Sequence, residues 1–149
     1  MNNVLRIWSV EDNKDPMTQD FTFKLKLKLE NGPSENDDIL VVEWHPKGNA
    51  VLCGGSDFTI YVLNGMTGAF LACLSGHEGA INCAQFTPDG KNIVSSSEDM
   101  TIRVWSPIKQ DCIQIIKNKL QGDKSNFHKA PINIFALHPS VSLVVSGDL

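Results

Sequence analysis

Three side chains in this sequence are of the types that carry out acyl transfer: Ser95, His77 and Asp99. Their setting argues against that chemistry. No Gly-x-Ser-x-Gly elbow surrounds Ser95, which sits instead in the strand-like run Ile93-Val94-Ser95-Ser96-Ser97. Cys53, Cys73, Cys83 and Cys112 stand 20, 10 and 29 residues apart, with no Cys-x-x-Cys pair and no histidine at zinc-finger spacing. Each lies among alternating apolar residues, so all four are expected to be reduced core thiols in a cytoplasmic or nuclear setting. His45 and His138 each precede a proline, but Thr87 fills the third such place, which argues against ligation or acid–base work there. The expectation is a protein that is not an enzyme and holds no cofactor and no metal.

The elements that must position these residues belong to one ordinary domain's worth of chain, 149 residues with 42% hydrophobic content. A net charge of -4 and a pI near 5.5 make a sequence-independent grip on nucleic acid a poor expectation. No apolar stretch approaches the roughly 20 residues of a bilayer span. Residues 38 to 48 and 80 to 90 match at a shift of 42, and the same shift carries Ser56-Asp57-Phe58-Thr59-Ile60-Tyr61-Val62 onto Glu98-Asp99-Met100-Thr101-Ile102-Arg103-Val104. A third copy starts at His128, where His128 to Pro139 repeats the step of His77 to Pro88. Part of a fourth is present in Leu5-Arg6-Ile7-Trp8-Ser9, which repeats Ile102-Arg103-Val104-Trp105-Ser106.

Within each copy, apolar residues alternate over short runs between Pro-x-Gly, Gly-Gly-Ser-Asp and Gly-Met-Thr-Gly turn signals, so the elements are strands. The fullest copy predicts strands near 80–86, 92–97, 101–105 and 111–116, a four-stranded meander. Phe21, Phe23, Leu25, Leu27 and Leu29 alternate with Lys24, Lys26 and Lys28, as suits an outermost strand whose charged face discourages edge pairing. Such a meander must stack on neighbours, and radial closure of about four to eight blades is the known solution.

Gly76-His77, Ser95, Asp99 and Trp105 together resemble the WD40 repeat, with 22 residues from His77 to Asp99 and six from Asp99 to Trp105. The resemblance implies an all-β protein made of four-stranded antiparallel blades of a WD40 β-propeller, about three blades' worth, as a fragment of a larger ring. Its parts are the end of one blade in 1–30, complete blades in 39–74 and 80–116, and the start of a further blade in 128–149. It further implies that His77, Ser95, Asp99 and Trp105 form a structural hydrogen-bonded relay. Asp57 survives from that set in the preceding copy, where Glu35, Cys53 and Leu63 replace the other three. That copy is expected to hold by packing of Val41, Trp44, Leu52, Ile60 and Val62. His128 and Ser146 occupy relay places in the last copy, with the acid falling one residue past Leu149, and Trp8 occupies one at the start.

Glu43-Trp44-His45-Pro46 and Phe86-Thr87-Pro88-Asp89-Gly90-Lys91 are similar to the angio-associated migratory cell protein family, which includes a fungal ribosome-assembly chaperone. That implies a protein-interaction scaffold, and more narrowly a chaperone for a basic ribosomal protein. The alternatives are a self-assembling ring of identical chains, or a general signalling or cell-migration adaptor. The partner expected is a protein or basic peptide, with no membrane or direct nucleic-acid role. Its candidate contacts are Glu30, Glu35, Asp37, Asp38, Ser56 and Glu98, which propeller geometry collects on one face. The two long loops, 9–20 and 117–127, are either functional or mobile.

Overall fold

A computed structural model describes residues 4–12, 21–29, 37–117, 128–140 and 143–148. Strands β3 (Ile39–Trp44), β4 (Ala50–Gly55), β5 (Thr59–Asn64) and β6 (Phe70–Ser75) form one antiparallel meander. A second contains β7 (Ile81–Phe86), β8 (Ile93–Ser97), β9 (Ile102–Ser106) and β10 (Asp111–Ile116). They are flanked by two-stranded sheets, β1 (Leu5–Asp12) with β2 (Phe21–Leu29), and β11 (Ile132–Leu137) with β12 (Val144–Asp148). The described residues contain no helix. These are all-β blades of the propeller type.

The short turns follow from local chemistry. In the β8–β9 turn, Met100 takes φ +63°, its N–H donates to the Ser97 carbonyl, and Asp99 Oδ1 accepts from Thr101 N–H at 2.9 Å. The β4–β5 turn repeats this with Phe58 at φ +65° and Asp57 Oδ1 accepting from Thr59 N–H. An aspartate that bonds the backbone two residues on stabilises the tight turn and offsets the cost of a left-handed non-glycine residue.

The core lies between sheets. Leu52, Ile60, Val62, Ala72 and Leu74 from the first meander meet Ile81, Ala84, Phe86, Ile93 and Trp105 from the second. A second cluster joins Val94 and Ile102 to Ile132 and Phe135, and a third joins Leu5 to Cys53 and Leu63. Each aliphatic side chain fully buried in these seams contributes about 1.5–3 kcal/mol.

Stacking is reinforced by a repeated polar latch. Glu43 Oε2 accepts from Phe86 N–H at 3.1 Å, and one blade further on Gln85 Oε1 accepts from Leu137 N–H at 3.2 Å. His45 Nε2 donates to the Gly90 carbonyl at 3.0 Å, while its Nδ1 accepts from Lys47 N–H. Both ring nitrogens are therefore occupied. Gly90 has φ +79°, and a Cβ there would fall 2.5 Å from the His45 ring, so the close approach of the blades requires glycine.

Two packing expectations need correction. Trp44 is 49% exposed and does not belong to the first blade's core, because it points out of the innermost strand toward the turn at Gly65. Only Cys53 of the four thiols is buried. Cys73 is exposed, and Cys83 and Cys112 are half-buried. Cys73 lies on the outer strand β6, where alternation sends it away from the seam.

Candidate functional site

The most connected polar cluster lies where β8, β9 and the approach to β7 meet. Trp105 Nε1 donates to Ser95 Oγ at 2.8 Å, the Ser95 hydroxyl lies 2.7 Å from His77 Nε2, and His77 Nδ1 lies 2.8 Å from Asp99 Oδ2. Indole is only a donor and an ionised carboxylate only an acceptor, so the remaining directions follow. Ser95 accepts from Trp105 and donates to His77 Nε2, while His77 Nδ1–H donates to Asp99. One neutral imidazole tautomer satisfies every atom in the chain.

The electrostatics agree with that assignment. Burial pushes the His77 pKa down, and the bond and charge of Asp99 oppose it without winning. Burial works to raise the Asp99 carboxyl, but hydrogen bonds from Thr101, His77 and the Glu78 N–H overcome it and hold the pKa at about 2. Arg103 adds an ion pair to Asp99 at 3.7 Å and lies over the Trp105 ring, 5.8 Å from its centroid.

This arrangement resembles a catalytic triad only in composition. Ser95 is fully buried, and both sides of its hydroxyl are engaged, so no acyl group can approach it. Cys53 is no better placed for attack: burial, then the charge of Asp57, pushes its pKa up to about 12, and burial also raises that of Cys83.

The last copy contains a shorter version. His128 Nε2 lies 2.6 Å from Ser146 Oγ, and His128 Nδ1 lies 3.0 Å from Asp148 Oδ2, which lowers the Asp148 pKa. Among the described residues the acid beside His128 is Asp148, because the end of β12 brings this carboxylate within reach of the ring. Trp8 is 50% exposed on β1, whose Leu5 is buried against the first blade. Asp57 has no imidazole beside it among the described residues. It bonds Thr59 and faces Tyr61, whose pKa is raised to about 12 by burial first and then by this carboxylate.

Of the acidic candidates, Glu30 and Glu35 lie outside the described residues. Asp38 and Ser56 are brought together: Asp38 N–H donates to Ser56 Oγ at 2.8 Å, and Ser56 N–H donates to the Asp38 carbonyl at 3.0 Å. Asp37 precedes them, half-buried. The next blade repeats the contact, with Glu98 N–H donating to the Ala80 carbonyl at 3.0 Å and the Glu98 side chain exposed. Asp37, Asp38 and Ser56 therefore share one edge of the stacked sheets with Glu78 and Glu98.

Several contributing residues were not anticipated. Thr101 Oγ1 donates to Asp99 Oδ1 at 2.7 Å, and Ser97 Oγ donates to the Gly79 carbonyl at 2.9 Å while accepting from Asp99 N–H. The match of Thr59 with Thr101 at a shift of 42 was a usable signal for the first. Ser97 and the Glu43 and Gln85 latches had none, since their partners are set by blade packing.

A family profile described as WD domain, G-beta repeat matches residues 25–64 and 68–106. Among curated proteins, a serine-threonine kinase receptor-associated protein of Dictyostelium discoideum is 40% identical over 68 residues, covering 46% of this chain and 23% of that protein. Its counterpart in Gallus gallus is 43% identical over 61 residues, covering 41% of this chain and 17% of that protein. Pre-mRNA-processing factor 19 of Mus musculus is 29% identical over 111 residues, covering 74% of this chain and 20% of that protein. The chain thus spans less than a quarter of the length of these relatives.

Proposed function

The chain belongs to the WD domain, G-beta repeat family, and on that premise we propose that it is a non-catalytic protein-interaction scaffold whose acidic blade edge receives a basic peptide segment of a partner protein. The observation that carries this reading is the repeated edge contact, which sets Asp37, Asp38 and Glu98 on one face of successive blades. Glu78 adds to it, and in the last copy Lys129 stands where Glu78 does. Clustered exposed acids on a rigid sheet edge raise the local concentration of cations and favour Lys- or Arg-rich segments.

The narrower readings differ in the partner. The sequence resemblance supports a newly made basic ribosomal protein and a chaperone role. The names of the kinase receptor-associated relatives favour a signalling adaptor. Four cysteines without disulfides support a cytoplasmic or nuclear setting for either. The test is fluorescence anisotropy with a labelled Lys/Arg-rich peptide. Saturable binding that weakens about tenfold in Asp38→Lys/Glu98→Lys, with a shallower salt dependence, supports the proposal. No binding, or binding indifferent to the reversal, overturns it.

A further inference from the structure

Among the described residues, three that are not glycine take a left-handed backbone: Phe58 (φ +65°), Met100 (φ +63°) and Gln110 (φ +53°). That conformation crowds a Cβ, so it falls as a rule to glycine or to short polar side chains. The turn between third and fourth strands keeps close to this rule, with polar Gln110 in the second blade and Gly68 (φ +76°) at the equivalent place, 42 residues earlier, in the first. The β4–β5 and β8–β9 turns depart from it. Both complete blades put a large apolar side chain at the same strained position and leave it open to solvent, Phe58 at 42% and Met100 at 45%. These turns are closed by backbone contacts and by Asp57 and Asp99, so neither apolar side chain is needed to form them.

The surroundings of Phe58 and Met100 define what they would bind. Both lie at the sheet edge that carries Asp37, Asp38, Glu78 and Glu98. In the first blade, the contacts between Asp38 and Ser56 tie the loop bearing the acids to the turn bearing Phe58. In the second, a Cβ on Gly79 would lie 3.1 Å from the Glu98 Cβ, so the loop bearing Glu78 is in direct contact with the turn bearing Met100. Of the bases in the two blades, Lys47, Lys91 and Lys109 stand in turns at the opposite end, Arg103 is paired with Asp99, and Lys117 follows the outermost strand β10. An apolar side chain among carboxylates, repeated at the blade period, complements a segment that mixes cationic and apolar residues.

Resting on the scaffold reading above, we propose that Phe58 and Met100 are apolar anchors of the acidic edge, and that this edge selects a partner segment in which aliphatic or aromatic residues are interspersed with Lys or Arg. A purely basic segment is bound more weakly. The carboxylates attract the segment from a distance and set its salt dependence. The anchors act only on contact, by removing apolar surface from water, and so decide which basic segments are retained. Each anchor stands on a turn whose backbone is already hydrogen-bonded, so little freedom is lost on binding. Strain of this kind persists in a fold where binding requires it.

The test compares two labelled peptides of equal length and charge, one Lys/Leu and one Lys/Ser, by fluorescence anisotropy with the full chain and with Phe58→Asn/Met100→Asn. The parent is expected to bind the Lys/Leu peptide about tenfold tighter, a comparison that needs no variant. Asparagine accepts a left-handed backbone, so the asparagine variant should unfold at or above the parent's urea midpoint. It should lose the preference for Lys/Leu while binding Lys/Ser with the parent's affinity and salt dependence. Phe58→Leu/Met100→Leu, which keeps apolar side chains, should retain the preference. Asp38→Lys/Glu98→Lys should weaken both peptides. Equal binding of the two peptides by the parent, or a Lys/Leu preference that survives in the asparagine variant, overturns the anchors and leaves the acidic edge standing. Binding of neither peptide, or indifference to the charge reversal, overturns the acidic edge and this inference with it.

Discussion

Removing the Ser95 hydroxyl tests the direction of the buried hydrogen-bond chain. In Ser95→Ala, the Trp105 indole N–H loses its acceptor and His77 Nε2 loses its donor, and both sites are closed to water, with Trp105 1% and Ser95 0% exposed. An orphaned buried polar group costs about 1–3 kcal/mol, and two that share one missing atom are less than additive, so a loss of about 2–4 kcal/mol is expected. Trp105→Phe removes the donor and leaves part of the indole volume empty in the seam with Leu52 and Ile60, a loss of about 1–3 kcal/mol. In the double variant no indole N–H remains to be orphaned. Its destabilisation should therefore fall short of the sum of the single losses by about 1–2 kcal/mol. Urea melts followed by far-ultraviolet circular dichroism measure all four proteins without relying on tryptophan emission. A Ser95→Ala loss below about 0.5 kcal/mol, or single losses that add within that margin, would refute the chain of donors and acceptors derived above.

Three further outcomes follow from other contacts. Acid should destabilise the protein in two stages. His77 has a folded pKa below its unfolded value, so its contribution is lost as pH falls below about 6.5, and Asp99 adds a further loss between about 4 and 2. His77→Gln should flatten the first stage in melts run across pH, and an unchanged profile counts against the neutral, buried imidazole. Glu43 has the opposite sign: burial raises its pKa against the bond from Phe86 N–H, so ionisation near neutral pH works against folding. Glu43→Gln keeps an acceptor for Phe86 and should melt later than the parent at pH 7 but together with it in strong acid, whereas Glu43→Ala should lose about 1–3 kcal/mol. Gly90→Ala should lower stability by more than about 1 kcal/mol, read in the same melts, because its Cβ meets His45 at a left-handed backbone position.

The repeat at a shift of 42 and the strand alternation made the meanders and their turns legible without any tertiary information. Strands expected near 92–97 and 111–116 appear at Ile93–Ser97 and Asp111–Ile116. The grouping of His77, Ser95, Asp99 and Trp105 was legible for the same reason. Fixed spacing along hydrogen-bonded strands, with an aspartate-stabilised turn between two of them, converts sequence separation into distance. The acidic edge was legible only in part, since Glu98 and Ser56 follow from turn positions while Glu30 and Glu35 fall outside the described residues.

What the sequence by itself determined is periodic: which residues pair within a sheet, where chains turn, and which side chains alternate toward a face. What only the tertiary structure decided concerns contacts between sheets. It put Asp148 beside His128, left Trp8, Trp44 and Cys73 outside the seams, and gave Glu43 and Gln85 their acceptor roles toward Phe86 and Leu137. The physical reason is that alternation assigns a side chain to a face but says nothing of whether another sheet covers that face. Burial, and with it the strength of every polar contact, is fixed only once neighbouring blades exclude water from the space between them.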